Sequence, residues 1–508
     1  MVVGACTISN GMKWANFLHI YQPNGQQPDI LEAVVTQSYR PILRGITDNK
    51  KVRLSLNVNG ALLELFDKNQ YRDIIDMLRE LVKNGRVELT GSAKYHALLP
   101  FMDDKEVIRQ IEINNETLRF YFNHGYQPKG FFPPEMAYDE RLPRIIESLG
   151  FKWIILDEIA KSGITDTVDY SKIYKITGTD ILVFFRERRP SNLIMSAVVR
   201  SYDSLKEAMH DDFSSGRYLI TGMDGETFGH HRPGLEKMLF ETFNSGEFDL
   251  VQISDLPAFY KNIEEVSPVR STWASSEDDI KRGVQFLSWK DPDNEIHAWQ
   301  WELVNSALEA VNGLNVNNSI FADVRSRMDV ALASDHFWWA SAKPWWSIEE
   351  IERGAFLCLD IIRRIPDVHH SKIERAAKLY ENIVSTAFEW KRSGKIYQIT
   401  QERKNILKIP FKERTFEKGG VERGIYEGFI AMFKDLEIKA AAGGEYEKAI
   451  LWRDAIEKIE NKNDIYDLVH ATELLRLEIP NKDIEAMLDK YTAKYKEIRG
   501  GQPEQRGL

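Results

Sequence analysis

Two acids and two histidines crowd into the stretch GMDGETFGHH, as Asp224, Glu226, His230 and His231, directly behind the apolar run YLIT. A strand that ends in so many ionisable groups presents them at an edge. A second candidate acid, Glu135, follows Phe131-Phe132-Pro133-Pro134. Two prolines remove two backbone donors and fix φ near −65° at both positions. The ladder stops there, and the next side chain is held stiffly, as a nucleophile requires. Glu135 also has a purely structural reading, as a cap for a helix beginning near Asp139. Two carboxyl groups arriving from different strand ends suit glycoside cleavage, in which one attacks or guides water and the other protonates the leaving oxygen. Asp224 and Glu226 are two apart and share a face if the strand persists, and residue types alone leave open which of them is the chemical one. A metal alternative takes His230 and His231 with His19, Asp224 or Glu226. Against it, the standard zinc spacings are missing, and adjacent strand residues point to opposite faces. The histidines also read as one buried and one surface residue, or as contacts to sugar hydroxyls.

The surrounding elements alternate. WANFLHIYQP, VRLSLNVNG, RVELTGS, GFFPPE, WIILDE and RYLITGMDGE read as strands, and FDLVQISDL as a last one. Helical patterns stand between them, among them DILEAVVTQSYRPILRGI, one long helix ALLELFDKNQYRDIIDMLRELVKNG, and DKEVIRQIEINNETLRFYFN. A hairpin-like insertion holds ILVFFRER. Strands alternating with helices predict βα units and a parallel sheet, and about seven units predict a closed or nearly closed barrel. Catalytic side chains of such barrels sit at the C-terminal strand ends. Those ends carry His19 and Gln22, Asn57 and Asn59, Glu135, Asp157 and Glu158, then Asp224 and Glu226; Glu88 lies on the third strand, with His96 after it. From about residue 290 the periodicity is almost wholly helical. The expected division is a catalytic domain over 1–275, a helical domain over 276–498 and a disordered tail over 499–508.

The chain has 508 residues and a net charge of −10. That acidic balance argues against nucleic acid, whose partners carry a basic face, and against anionic membranes, and it is compatible with a neutral substrate. Two cysteines, Cys6 and Cys358, build no disulfide framework. With no basic-then-apolar leader and no long apolar run, the expectation is a cytoplasmic protein. Eight of the twelve tryptophans fall between Trp273 and Trp346. Indole faces cover pyranose rings, but packing of the helical region accounts for most of the eight.

Together these motifs resemble glycoside hydrolase family 57. HIYQP (His19 to Pro23) is similar to its first motif, with Ile-Tyr between the His and the Gln-Pro. GRVELT resembles the second, FFPPEMAY the third, MDGETFGHH the fourth and SDHFWWAS the fifth. The resemblance spans residue 19 to about 341. It implies an incomplete (β/α)7 barrel followed by a C-terminal all-helical domain, a retaining mechanism, and no cofactor or obligatory metal. It gives Glu135 the role of nucleophile and Asp224 that of general acid/base. His19, Gln22, Glu88, His96, Glu226, His230, His231, Asp335 and Trp338 are then candidates for substrate binding. The expected substrate is an α-1,4-linked glucan or malto-oligosaccharide, cleaved in α-amylase fashion. His230-His231 resembles amylase-type members. The alternatives are a 4-α-glucanotransferase or branching enzyme on the same site, a metal-dependent glycosidase or deacetylase with His19, Asp224 and His230 as ligands, and a non-catalytic glucan-binding protein. Arg186 is expected either to position a carboxylate or to form a structural ion pair.

Overall fold

A computed structural model describes residues 11–197, 199–210, 212–213, 215–343, 345–404, 425–461, 474–475 and 478–498. Among the described residues there are ten strands: β1 (Met12–Ile20), β2 (Leu54–Val58), β3 (Val87–Leu89), β4 (Gly130–Phe131), β5 (Trp153–Asp157), β6 (Ile173–Ile176), β7 (Leu182–Arg186), β8 (Tyr218–Asp224), β9 (Phe248–Leu250) and β10 (Ile263–Val266). They form two sheets. One runs β3-β2-β1-β8 with β9 also on β1; the other runs β10-β6-β7-β5-β4. Every ladder is parallel except β6 with β7.

Two thin seams join the sheets into a ring. At one, Gly91 bridges Phe131 in parallel register, with the Gly91 N–H donating to the Gly130 carbonyl at 2.9 Å. At the other, the Glu187 N–H donates to the Ile220 carbonyl at 2.9 Å. The ring therefore reads β1-β2-β3-β4-β5-β7-β8, seven parallel strands, as an incomplete (β/α)7 barrel requires. β7 is both the second arm of the expected hairpin and a barrel strand.

The composition of the strands explains the ring. β2 and β5 are buried along their whole length, which is how a strand covered on both faces reads. Alternate residues of β1 part company. Ala15 and Phe17 join the cluster that contains Phe132 and Ile154, whereas Trp14, Leu18 and Ile20 pack with the helix residues Leu31, Leu62 and Leu78. The long helix expected after β2 is two, Gly60–Lys68 and Arg72–Lys83, broken where Gln70 takes a positive φ of 65°. The last expected strand shortens to β9, because Ile253–Asp255 turns into a 3-10 coil.

The helices Glu295–Asn312, Phe321–Ala331, Ile348–Arg364 and His370–Ser393 follow. Their core is continuous with that of the barrel: Trp301, Val304, Ile351 and Leu379 belong to the same cluster as Phe17 and Phe132. The helices Ile425–Ala442, Tyr446–Asn461 and Asn481–Ile498 enclose a core of their own around Phe433, Trp452 and Leu488. The expected tail and Cys6 lie outside the described residues, and Cys358 is buried with a free thiol. Among the described residues no helix is long and apolar enough to cross a membrane.

Candidate active site

Parallel strands all finish at one end of the ring, and two carboxyl groups meet there. Glu135 stands just beyond β4. Pro133 is extended, Pro134–Met136 make one 3-10 turn, and Glu135 itself adopts the left-handed region at φ 61° and ψ 15°. Such a backbone costs a non-glycine residue about 1–3 kcal/mol and persists only where its surroundings enforce it. Here Trp273 enforces it twice. Its backbone N–H donates to the Glu135 carbonyl at 3.2 Å, and its indole N–H donates to the Glu135 carboxylate at 2.7 Å. The helix-cap reading of Glu135 is set aside, because its carboxylate is taken by Trp273 and the following helix, Leu142–Ser148, has no side-chain cap.

Asp224 ends β8 and pairs in register with His19 of β1. Arg186 at the end of β7 organises this corner. Its guanidinium donates to the Gly222 carbonyl at 2.5 Å, to Asp157 at 2.7 Å and to Asn192 at 2.9 Å, and lies 6.0 Å from the Trp273 ring centroid. Arg188 takes the other oxygen of Asp157 at 2.5 Å. Arg186 is thus an ion-pair partner and a support for the strand carrying Asp224. A Cβ at Gly222 would stand 3.2 Å from the Arg186 side chain, a tight approach that would press on this guanidinium's stem.

Burial lifts both carboxyls. Glu135 rises to about 8, first through desolvation and then through the negative charge of Asp224, against which the Trp273 hydrogen bond works. Asp224 rises to about 6 through desolvation, held down by Arg186. Glu135 nonetheless keeps 18% of its side chain exposed, so its side chain is reachable from solvent. At about 8 against about 6, Glu135 is the carboxyl that keeps its proton near neutral pH, and Glu226 beside Asp224 is raised as well, to about 7, by burial and by the charge of Asp224.

The histidines around the pair are neutral. The His19 ring lies 2.8 Å, Nδ1 to Oδ1, from Asn57, whose amide N–H donates to Thr90 at 3.0 Å. His19 Nδ1 is therefore the donor, and its Nε2 is left as an acceptor. Burial lowers His19 to about 4 and His96 well below its ordinary value. His96 Nδ1 is 3.8 Å from Glu135 and 3.1 Å from the Ser334 hydroxyl. His19, His96 and Tyr21 stack, with ring centroids 5.1 Å apart for the two histidines and 4.3 Å for Tyr21 and His96.

The helical region supplies the far wall. Ala97 bridges Ala333, and the Ser334 N–H donates to the His96 carbonyl at 3.3 Å. This brings Asp335 to the rim, where it accepts from the Tyr21 hydroxyl at 2.6 Å. Trp338, Trp339 and Trp345 form a half-buried group with ring centroids 4.8 to 5.8 Å apart, while Trp289 and Trp301 are core residues, 1% and 7% exposed. The tryptophan cluster thus divides between packing and rim.

Glu88 does not join this rim. It pairs in register with Ser55, two residues before the Asn57 that meets His19. It accepts hydrogen bonds from the Ser55 hydroxyl at 3.0 Å and the Ser254 N–H at 3.3 Å, and a third from the Ser254 hydroxyl. With its oxygens held by the Ile253–Asp255 turn and β2, it is a structural acid in place of the expected sugar contact. Gln22 and Glu226 depart from expectation too. The strand stops at Asp224 and Gly225–Thr227 coil, so the shared face of Asp224 and Glu226 is lost. Glu226 is 3% exposed and accepts from the Tyr21 N–H at 3.2 Å, the Gln22 amide at 3.3 Å and the Tyr39 hydroxyl. All three bonds fall on Oε1 of Glu226, and they anchor the loop after β1. His230 and His231 are half-buried; His230 lies 2.8 Å, Nδ1 to Oε1, from Gln37, and the His231 N–H donates to the Glu226 carbonyl at 2.7 Å. Among the described residues no group of three or more His, Cys, Asp or Glu comes together to hold a metal, so the metal alternative on His19, Asp224 and His230 has no ligand cluster.

Sequence reasoning missed Tyr21, Tyr39 and the particular role of Trp273. Tyr21 carried a signal, since it stands between the motif residues His19 and Gln22. Trp273 and Tyr39 carried none, because only the fold brings them to their carboxylates.

A desolvated carboxyl pair at a barrel rim is an arrangement that can cleave a glycosidic bond, and known proteins share parts of this chain. Residues 15–266 match the family model for glycosyl hydrolase family 57. An alpha-amylase of Pyrococcus horikoshii is 23% identical over 228 residues, covering 44% of this chain and 35% of that protein. A 4-alpha-glucanotransferase of Thermococcus kodakarensis is 25% identical over 237 residues, covering 45% and 35%. The chain therefore spans about a third of the length of these curated relatives. Among solved structures, the 4-alpha-glucanotransferase of Thermococcus litoralis superposes with a TM-score of 0.57 at 17% identity, over 70% of this chain and 60% of that one. A branching enzyme of Pyrococcus horikoshii gives 0.57 at 15%, over 74% and 94%. The match to glycosyl hydrolase family 57 is carried by the barrel, residues 15–266, just under half of the chain.

Proposed function

We propose that this protein is a retaining glycoside hydrolase acting on α-1,4-linked glucans or malto-oligosaccharides, with Glu135 as nucleophile and Asp224 as general acid/base. The observation that carries the reading is the pair itself: two desolvated, mutually repelling carboxyls at the C-terminal rim, one on a rigid left-handed turn and bonded to Trp273. The names of the relatives, alpha-amylase and 4-alpha-glucanotransferase, supply the substrate class.

The chemistry follows from one shared proton. A glycosidic oxygen placed beside Asp224 draws the proton to that carboxyl. Glu135, then ionised and stabilised by the Trp273 N–H, attacks the anomeric carbon as Asp224 protonates the leaving oxygen. Water, deprotonated by Asp224, attacks the glycosyl-enzyme and restores the pair. Neutral His19 and His96 border the reacting ring without competing for the proton, and Trp338 offers an apolar face for a sugar.

A second reading keeps the site and replaces water by a sugar hydroxyl. The half-buried group Trp338, Trp339 and Trp345 beside Asp335 favours it, because an apolar wall retains an acceptor sugar. Maltoheptaose incubated with the protein, with products separated by chain length, tests both. Shorter products only support hydrolysis, and products both shorter and longer than the substrate support transfer. Glu135→Gln should abolish either; a variant with normal turnover removes Glu135 from the mechanism.

A further inference from the structure

Tyr21 sits in the loop after β1 and belongs to neither carboxyl of the pair, yet it touches three parts of the rim. Its hydroxyl donates to Asp335 at 2.6 Å, across the seam between barrel and helical region. Its ring stacks on His96 at 4.3 Å and 16°, and His96 lies 3.8 Å from Glu135. Its backbone N–H is held by Glu226, at 3.2 Å, which also accepts from Gln22 and Tyr39. The phenol is therefore fixed from below by the barrel, while Asp335 arrives from a short helical turn, Asp335–Trp338. One carboxylate oxygen of Asp335, Oδ2, is taken by Tyr21.

We propose that Tyr21 is a positioning residue that presets Asp335 for a sugar hydroxyl, so that the wall from the helical region is in register with the barrel before substrate arrives. The inference rests on the reading of Asp335 as a substrate contact. A bond already made in the empty site lowers the ordering cost of binding. Its loss therefore falls on KM more than on kcat, because the reacting carboxyls have their own supports in Trp273 and Arg186.

The test is Tyr21→Phe, which keeps the ring on His96 and deletes only the hydroxyl, beside Asp335→Asn and the double variant, with steady-state kinetics on maltoheptaose. The expected result is a roughly tenfold rise in KM for Tyr21→Phe, the scale of one lost hydrogen bond to a carboxylate, with kcat changed less than about threefold. The double variant should be no worse than Asp335→Asn alone, because the two residues act as one. An unfolding midpoint within a degree or two of the wild type separates positioning from misfolding. A shifted Tyr21→Phe midpoint with kcat and KM falling away together overturns the inference, since that is what a structural role predicts. Wild-type-like KM, or effects of the two substitutions that multiply independently, overturns it while leaving the proposed activity standing. A wild-type protein that turns over no α-glucan overturns both.

Discussion

Replacing Glu135 by Gln should remove catalysis and make the empty protein more stable. The carboxyl sits in the folded protein at about 8 against an ordinary value of 4.5, chiefly because burial disfavours its charge. Between those two values the native state holds a proton that the unfolded chain has released, so stability falls as pH rises through the window. Each pH unit weighs about 1.4 kcal/mol, which at pH 7 places roughly 3 kcal/mol of destabilisation on this one side chain. Gln keeps the shape and an oxygen to accept the Trp273 N–H, and removes only the ionisation. Calorimetry of the barrel transition, at roughly 2–4 °C per kcal/mol for a domain of this size, should show the variant melting several degrees above the wild type at pH 7. The advantage should shrink to nothing near pH 4.5 and stop growing above about pH 8. A variant equal to the wild type at every pH, or less stable at pH 7, refutes the electrostatic account of the pair.

The pH dependence of kcat/KM should be bell-shaped, because only the singly protonated pair is competent: the acid limb lies near 6 and the alkaline limb near 8. Trp273→Phe removes a donor to the ionised form of Glu135, so the alkaline limb should move up by about one to two pH units, the equivalent of a ~1.5–3 kcal/mol charged hydrogen bond; an unmoved limb contradicts the role given to Trp273. Glu88→Ala should lower stability by about 2–4 kcal/mol, by leaving the buried Ser55 hydroxyl and the half-buried Ser254 hydroxyl without their acceptor, while KM for maltoheptaose in the folded fraction stays within about twofold. A large KM change there would return Glu88 to the sugar site.

What was legible in the sequence follows the range of the physics involved. The alternation of apolar strands and amphipathic helices is local, so the seven-stranded barrel and the helical region could be read directly. That Glu135 and Asp224 stand at one rim was legible because one follows β4 and the other ends β8, and parallel strand ends converge. Glu88 misled, because its motif position says nothing of depth: the register of β2 and β3 sets it beside Ser55, two residues short of the rim. Glu226 misled because the period-two argument holds only while the strand lasts, and the chain coils at Gly225. Trp273 and Tyr39 meet their carboxylates from 138 and 187 residues away, a distance that no local pattern encodes.

The most direct measurement is to trap the glycosyl-enzyme. A 5-fluoro-α-glucosyl fluoride slows the second step more than the first, so an enzyme working by covalent displacement accumulates the adduct. Mass spectrometry of the digested protein should then find one glycosyl group, on the peptide carrying Glu135, and none on Glu135→Gln. A label on another carboxylate, or turnover of α-glucans with no label on any, would contradict the assignment of Glu135 as the nucleophile.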